Sequence, residues 1–305
     1  MPYIVSMAKV LLVGTVCNVS RTLELEIKRV VKALAGLELV GTYLVESDSD
    51  DDTPKILTRL SNEILNFHFI SLGDLRNTIP ERISRIRFCR NIYTDYIRNL
   101  KQTIDFDYVI VADLDGMNSA ISRKGVASCF SQNNWSALLA NQTGGYYDLL
   151  ALRHPQWCPN DILDDLKTLQ EKIIPPTNSG LPLIDGICQR LRYDKARKTA
   201  IYSRMRIIPK NSDWVEVDSA FGGFGIYKVE VFLKFNYDPI LIQEASASEH
   251  VALSNRMREN GLRIFINPRL INNRWNTYNI NRFFLIRQAR QTYWNSRIRS
   301  KIIKK

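Results

Sequence analysis

The chain lacks the features that would place it in several large classes of protein. Its five cysteines are scattered and form no Cys-x-x-Cys pair, which argues against a disulfide framework or a zinc cluster and favours a reducing compartment. No apolar run reaches the roughly 18 residues needed to span a bilayer. The N-terminal segment has neither the basic region nor the long apolar region of a signal peptide. We therefore expect a protein of the cytosol or of the cytosolic face of a membrane.

Two phosphate-binding signatures are also missing after the first expected strand, residues 9–14. No Gly-x-Gly-x-x-Gly follows that strand, so the fingerprint of a dinucleotide-binding domain is absent. The turn at residues 15–18 (Thr-Val-Cys-Asn) is not the glycine-rich basic loop that sugar nucleotidyltransferases usually carry there. A nucleotidyltransferase is therefore disfavoured, although it stays among the alternatives.

The composition is that of an ordinary globular protein. The 305 residues suffice for one large or two small domains, 45% of them are hydrophobic, and 24% are charged. The net charge of +11 favours an anionic partner, which could be nucleotide phosphates, nucleic acid or an anionic membrane surface.

Hydrophobic periodicity predicts alternating strands and helices. Buried strands are expected at residues 9–14, 39–45, 67–72 and 108–112, and further strands at 135–140 and 147–152, while Ser20 is a good cap for the first helix. A β-α-β start implies a parallel sheet. We predict an α/β fold in which helices flank a mixed, mostly parallel central sheet, in one domain over residues 1–281.

A basic, aromatic extension at residues 282–305 follows that domain. All of its charged residues are Lys or Arg, and Phe283, Phe284, Tyr293 and Trp294 are mixed among them at near-helical spacing. This pattern is typical of a helix lying on anionic lipid, and an ordinary surface helix is an equally good interpretation. Nucleic acid is less favoured as a partner because no recognised binding motif accompanies the charge.

The strongest candidate for chemistry is the end of the strand at residues 108–112. This apolar strand stops at Asp113-Leu114-Asp115, and residues i and i+2 of a strand point to the same side. The two carboxylates could face one hard cation such as Mg²⁺ or Mn²⁺, which takes oxygen ligands from carboxylates and substrate phosphates. The simpler interpretation is a polar turn after a core strand.

Two further groups could bind a nucleotide. Residues 46–52 place five acids after the second strand, and Glu46 or Asp48 could bond a ribose or base at the carboxyl end of the sheet, although a solvated loop explains some of these acids equally well. Arg90, on an expected helix over residues 82–98, is the candidate to clamp a diphosphate.

The segment Val215–Tyr227 is glycine-rich and could approach a ligand closely. Gly222 and Gly223 allow close backbone contact, and Asp218 precedes them; the alternative is a tight hairpin. Farther along, Glu249 and His250 open an expected helix, where an acid also suits the helix dipole and a lone His is more often structural.

Taken in order, these motifs resemble the GT-A-fold glycosyltransferases. The set formed by residues 46–53, Arg90-Asn91, the Asp113-Leu-Asp115 strand and Val217-Asp-Ser-Ala-Phe-Gly-Gly-Phe-Gly is similar to the fungal capsule-associated mannosyltransferase-like group and its microbial relatives. The likeness covers roughly residues 8 to 270. No segment is an obvious lumenal anchor.

The resemblance implies sugar transfer from a UDP- or GDP-sugar to a glycan or lipid-linked hydroxyl acceptor, in glycan, capsule or glycolipid biosynthesis. In that scheme Asp113 and Asp115 hold Mn²⁺ or Mg²⁺ on the donor diphosphate, with His250 as a third ligand. Independently of the resemblance, an inverting transfer needs a base for the acceptor hydroxyl, for which Glu249 is the first candidate and Asp218 the second. The alternatives are a nucleotidyltransferase and a basic binding module without catalysis.

Overall fold

The computed structural model describes residues 7–173, 182–239 and 248–274. The extension 282–305, for which the sequence predicts a helix, lies outside the described residues. The strands are β1 Lys9–Val16, β2 Glu38–Glu46, β3 Phe67–Ser71, β4 Tyr108–Ala112, β5 Ala137–Gln142, β6 Val215–Glu216, β7 Phe224–Lys228 and β8 Ile264–Asn273. The helices are α1 Leu23–Ala33, α2 Thr53–Glu63, α3 Arg82–Lys101, α4 Arg123–Ala127, α5 Ile162–Ile173, α6 Pro182–Ala200, α7 Val229–Lys234 and α8 Glu249–Glu259.

The strands form one mixed sheet in the order β3-β2-β1-β4-β7-β5-β8-β6. Pairs along β3-β2-β1-β4 are parallel, and so is the pair β5–β8, whereas β7 runs antiparallel to both β4 and β5. The predicted α/β fold with a mixed, mostly parallel sheet flanked by helices is confirmed. The carboxyl ends of β4, β5 and β8 consequently meet at one edge of the sheet.

The central strands bury alternate residues in two separate cores. Val109 and Val111 of β4 belong to the core that contains the buried side chains of α3, whereas Ile110 and Ala112 belong to the core beneath α1. Successive side chains of a strand point to opposite faces. The next residue, Asp113, therefore continues on the α3 side, where the charged side chains of the candidate site lie.

Several sequence predictions differ from the structure in detail. Residues 147–152 form a loop rather than a strand, because Leu149, Ala151 and Leu152 reach the core through turns without pairing in the sheet. Helix α1 begins at Leu23 rather than directly after Ser20, whose backbone N–H instead donates to the side chain of Asp51. Strand β5 begins two residues later than expected.

The glycine-rich segment is not a hairpin. Strand β6 pairs with β8 at one edge of the sheet, whereas β7 inserts between β4 and β5. Residues 217–223 therefore cross from one part of the sheet to another and pass the carboxyl end of β4. Among the described residues, no helix has both the length and the apolar character needed to cross a bilayer.

Candidate active site

The site is built around the residue at which β4 ends. The backbone N–H of Asp113 donates to the carbonyl of Gly223 at 2.9 Å, which joins the strand end to the glycine turn. The Asn118 Nδ2 donates to the carbonyl of Asp113 at 2.6 Å and closes the following loop. The Asp113 side chain keeps 31% of its surface exposed, so it is partly accessible to solvent.

Arg90 joins two carboxylates that lie far apart in the sequence. Its side chain is 4% exposed, on the sheet-facing side of α3. The Nε donates to Glu249 Oε1 at 2.9 Å, the Nη2 to Asp113 Oδ1 at 3.3 Å, and the Nη1 to the Tyr93 hydroxyl at 3.1 Å. The guanidinium also lies 5.2 Å from the ring centroid of Phe221. Because each of its three nitrogens has a partner within the protein, Arg90 orients the site rather than presenting a free cation.

The two aspartates of the Asp-Leu-Asp motif repel each other. Burial raises the pKa of Asp113, with the charge of Glu249 adding to the effect and Arg90 opposing it. Asp115 remains accessible to solvent, and desolvation together with the charge of Asp113 raises its pKa to about 6. Arg82, exposed in the first turn of α3, lowers the pKa of both. A further cation placed here would relieve the remaining repulsion.

His250 is buried between Phe221 and Glu249. Its ring stacks on Phe221 with centroids 3.7 Å apart, and its Nε2 lies 3.6 Å from Glu249 Oε1. Burial, followed by the charge of Arg90, lowers its pKa well below the ordinary value, so the imidazole is neutral. Neither ring nitrogen has a hydrogen-bond partner in the described part of the chain. A neutral, unbonded imidazole has the protonation state that a metal ligand requires.

No three His, Cys, Asp or Glu side chains among residues 7–173, 182–239 and 248–274 converge as a metal-binding set. Asp113, Asp115 and His250 are therefore not assembled as a complete triad. The chemistry of the two aspartates does fit a hard divalent cation, since such an ion usually takes one or two carboxylates and completes its shell with waters and substrate phosphates.

Sequence reasoning missed Asp148, because residues 147–152 were expected to form a strand. Asp148 accepts the backbone N–H of Gly222 at 2.9 Å and that of Ala151 at 3.3 Å. Burial raises its pKa to about 6, and the charges of Asp113 and Glu249 add to the increase. The signal available in the sequence was its position, just after the turn that ends β5. Asp113, Asp115, Asp148 and Glu249 are called the carboxylate cluster below.

The two glycines in residues 217–223 occupy positions at which a larger residue is disfavoured. Gly222 and Gly223 have φ of 74° and 86°, a region that side chains disfavour. A Cβ on Gly222 would lie 2.8 Å from Gln142 Nε2, and one on Gly223 would lie 3.1 Å from the Tyr147 hydroxyl. The backbone of Gly223 lies close beside Asp113, whose N–H donates to its carbonyl.

Residues 46–52 are called the acidic loop, and its carboxylates at Glu46 and Asp48 have hydrogen-bond partners within the protein. Asp48 accepts the backbone N–H groups of Leu75 and Arg76 at 2.8 and 3.0 Å, and its Oδ2 lies 3.3 Å from Arg85 Nε. Glu46 accepts the backbone N–H of Ser49 at 3.1 Å and the hydroxyl of Ser71. Both candidate nucleoside ligands are thus engaged within the protein.

Asp218 lies apart from the contacts of Arg90. Its carboxylate pairs with Arg258 of α8 at 3.2 Å, and its backbone N–H donates to the carbonyl of Arg153 at 2.9 Å. The structure brings Arg90, Asp113 and Glu249 into direct contact, whereas Asp218 makes its ion pair outside that group.

The fold is similar to that of several solved glycosyltransferases. A mannosyltransferase from Pyrobaculum calidifontis, in complex with GDP-Man and Mn²⁺, is 10% identical with a TM-score of 0.49, over 90% of this chain and 59% of that one. Glucosyl-3-phosphoglycerate synthase from Mycobacterium tuberculosis is 13% identical with a TM-score of 0.39, over 87% and 69%. TarS from S. aureus, in complex with UDP-GlcNAc, is 18% identical with a TM-score of 0.30, over 45% and 34%.

This chain thus spans 59% of the length of the Pyrobaculum enzyme. No protein-family model and no curated protein sequence matches it. At these identities and TM-scores the solved structures describe a likeness of architecture, and the assignment of function rests on the site itself.

Proposed function

We propose that this protein is a metal-dependent glycosyltransferase that moves a sugar from a UDP- or GDP-sugar to a hydroxyl acceptor on a glycan or lipid-linked glycan. The observation that carries the proposal is the link Asp113–Arg90–Glu249, which places two carboxylates and a buried cation at the carboxyl edge of the sheet. Ligands of open α/β sheets bind at that edge.

Asp113 and Asp115 are the residues that would hold Mn²⁺ or Mg²⁺, and His250 is the candidate for a further ligand. When bound, the ion would neutralise charge on the leaving diphosphate. Arg82 is exposed in the first turn of α3, and its charge acts on both Asp113 and Asp115. Because Arg90 is enclosed by its partners, Arg82 is the candidate to contact a phosphate, whose oxygens guanidinium groups bind in pairs.

Glu249 is the candidate base of an inverting reaction. It meets Arg90 through Oε1, so Oε2 is the atom we assign to the acceptor hydroxyl. In that step Oε2 takes the hydroxyl proton, the acceptor oxygen bonds to the anomeric carbon, and the bond from that carbon to the diphosphate breaks. Asp148 is held by the N–H groups of Gly222 and Ala151 and interacts electrostatically with Asp113 and Glu249, so we assign it as a candidate hydrogen-bond acceptor for an acceptor hydroxyl.

Thermal-shift measurements with UDP-, GDP-, dTDP- and CMP-sugars, each with and without Mn²⁺, test the proposal. A ligand that binds only the native state raises the melting temperature as RT ln(1 + [L]/Kd). We expect a metal-dependent shift with one nucleotide class and its loss in Asp113→Asn. No shift with any donor, together with a shift on anionic lipid, would favour the binding-module alternative.

The segment 282–305 is proposed as an accessory contact to an anionic membrane. Deleting it tests this role: lost liposome binding with retained sugar transfer is the expected result, and unchanged liposome binding would contradict it.

A further inference from the structure

A buried carboxylate that the proposed reaction does not use lies directly behind the Asp-Leu-Asp segment. Glu26, on α1, has no exposed surface. Its Oε2 accepts both the backbone N–H of Asn118 at 2.7 Å and the Nδ2 of the same residue at 3.0 Å. Its Oε1 accepts from Arg29 at 2.8 Å. A buried acid with donors on both oxygens has a defined position, which it can impose on its partners.

Asn118 links Glu26 to the candidate site through hydrogen bonds. Its Nδ2 also donates to the carbonyl of Asp113 at 2.6 Å, and its side chain is itself fully buried. Directly before α1, the hydroxyl of its N-cap residue Thr22 donates to the carbonyl of Leu114 at 3.2 Å. Helix α1 therefore holds residues 113–118 at both ends, with Asp115 between the two points of attachment.

The segment needs such support because it contains a residue with little conformational preference of its own. Gly116 adopts φ of 102°, and glycine samples both positive and negative φ readily. Without the contacts from α1, the backbone of residues 113–118 would be free to change the separation of the two aspartates.

We propose that Glu26 is a positioning residue that, acting through Asn118, fixes the segment carrying Asp113 and Asp115 and thereby sets its affinity for a divalent cation. The inference rests on the proposed function, because the cation belongs to it. Groups that orient metal ligands typically change metal affinity by about 10- to 100-fold when they are removed.

The charge of Glu26 offers a competing explanation. It raises the pKa of Asp115, so Glu26 could affect a cation through its field alone. Two variants separate position from charge: Glu26→Asp keeps the charge but shortens its reach, and Asn118→Ala leaves Glu26 intact. Glu24→Gln is the matched control, since Glu24 lies on the same helix and makes surface ion pairs with Lys28 and Arg59.

Hydrogen exchange of the metal-free protein tests the positioning directly. Amides in residues 113–118 should exchange about tenfold faster in Glu26→Asp and in Asn118→Ala, because local opening costs less free energy when tethers are lost. The Glu24→Gln control should match the wild type. Unchanged protection of this segment in both test variants would overturn the proposal.

Titration with Mn²⁺, followed by electron paramagnetic resonance in the presence of GDP or UDP, tests the consequence. Each test variant should bind Mn²⁺ about tenfold more weakly, and the double variant no more weakly than the single ones, since residues acting in one chain are not additive. Wild-type Mn²⁺ affinity in both single variants, or full additivity in the double variant, would contradict the inference.

A wild-type protein that binds no Mn²⁺ with either nucleotide would instead contradict the metal site of the proposed function. In that case the exchange measurement alone decides whether Glu26 orders the segment. Thermal unfolding of each variant shows whether a change is confined to residues 113–118, and Asn118→Ala keeps the test available should Glu26→Asp fail to fold.

Discussion

The acidic loop and the carboxylate cluster contain the same residue types at the same edge of the sheet, yet their electrostatics are opposite. In the loop, hydrogen-bond donors lower the pKa of Asp48 and Asp51, outweighing the effect of burial in each case. In the cluster, burial raises the pKa of Asp113, Asp115 and Asp148, and neighbouring acids add to the increase.

The difference shows that the number of acids does not locate a site. The loop carries five acids in seven residues, but its buried carboxylates accept from donors in the loop, in β3 and in the segment that follows β3. The cluster keeps carboxylates that the protein itself leaves under-compensated, as functional sites commonly do. We therefore expect changes in the cluster to affect catalysis and changes in the loop to affect folding.

The largest effect should follow removal of either aspartate of the motif. Asp113→Asn and Asp115→Asn should each lower sugar transfer by about 100- to 1,000-fold, because charge stabilisation at the leaving group is lost. Initial rates and thermal melting should be measured together, and the fold should remain intact. Asp50→Asn, in the acidic loop, is the matched control and should change the rate less than about threefold. Full activity of both motif variants would rule out the metal assignment.

Loss of Arg90 should be the most destabilising change. Arg90→Gln leaves Asp113 and Glu249 without their shared cation, and breaking a buried pair costs about 3–5 kcal/mol. Urea unfolding measures this loss. Arg59→Gln, which removes an arginine with a 45% exposed side chain, should cost less than about 1 kcal/mol. Similar losses in the two variants would show that the Arg90 contacts do not hold the site together.

The contributions of the two regions to folding stability should also change with pH in opposite directions. The pKa of Asp148 is about 6 in the folded state against about 3.9 when unfolded, so its contribution to stability is complete below about pH 4 and is lost as the pH rises to 6. Asp51 has a lowered pKa, so its contribution is present above about pH 4 and is lost as the pH falls.

Substitution of each residue separates these contributions. Between pH 4 and 7, Asp148→Asn should gain up to about 3 kcal/mol relative to the wild type. Asp51→Asn should instead be less stable than the wild type by a constant amount above about pH 4, and this difference should shrink as the pH falls below 4. The measurement is urea unfolding at several pH values, and parallel pH profiles for the two variants would contradict the contrast between loop and cluster.

The sequence was sufficient for the fold class and for the buried strand at the centre of the sheet. Strand β4 is a continuous apolar run ended by a charge, and this pattern alone predicts the buried strand. The helical period of α3 likewise predicts a buried face, although it does not reveal that Arg90 lies on that face, because a buried arginine needs partners that are distant in sequence.

What the sequence could not supply was long-range pairing. Asp148 was hidden by an apolar segment that resembles a strand but reaches the core through turns. The crossing of residues 217–223 could not be distinguished from a hairpin, because glycine-rich turns serve both. The partners of Asp48 come from residues 75–85, which lie far along the chain, so local pattern showed an acidic loop and not its internal neutralisation.

The smallest expected effects come from two glycine substitutions, which separate the cost of backbone strain from a change in the shape of the site. Gly73, beside the acidic loop, has φ of 65° and open space around it, so Gly73→Ala should cost only the left-handed conformation, about 1 kcal/mol. Gly223→Ala carries the same cost and adds close contacts with Tyr147 and Asn272 at 3.1 and 3.3 Å. Because Gly223 bonds Asp113, its variant should lose activity about tenfold, and more than its melting temperature accounts for, since small displacements at a site reduce rates steeply. Equal losses of activity in the two alanine variants would show that the glycine turn does not shape the carboxylate cluster.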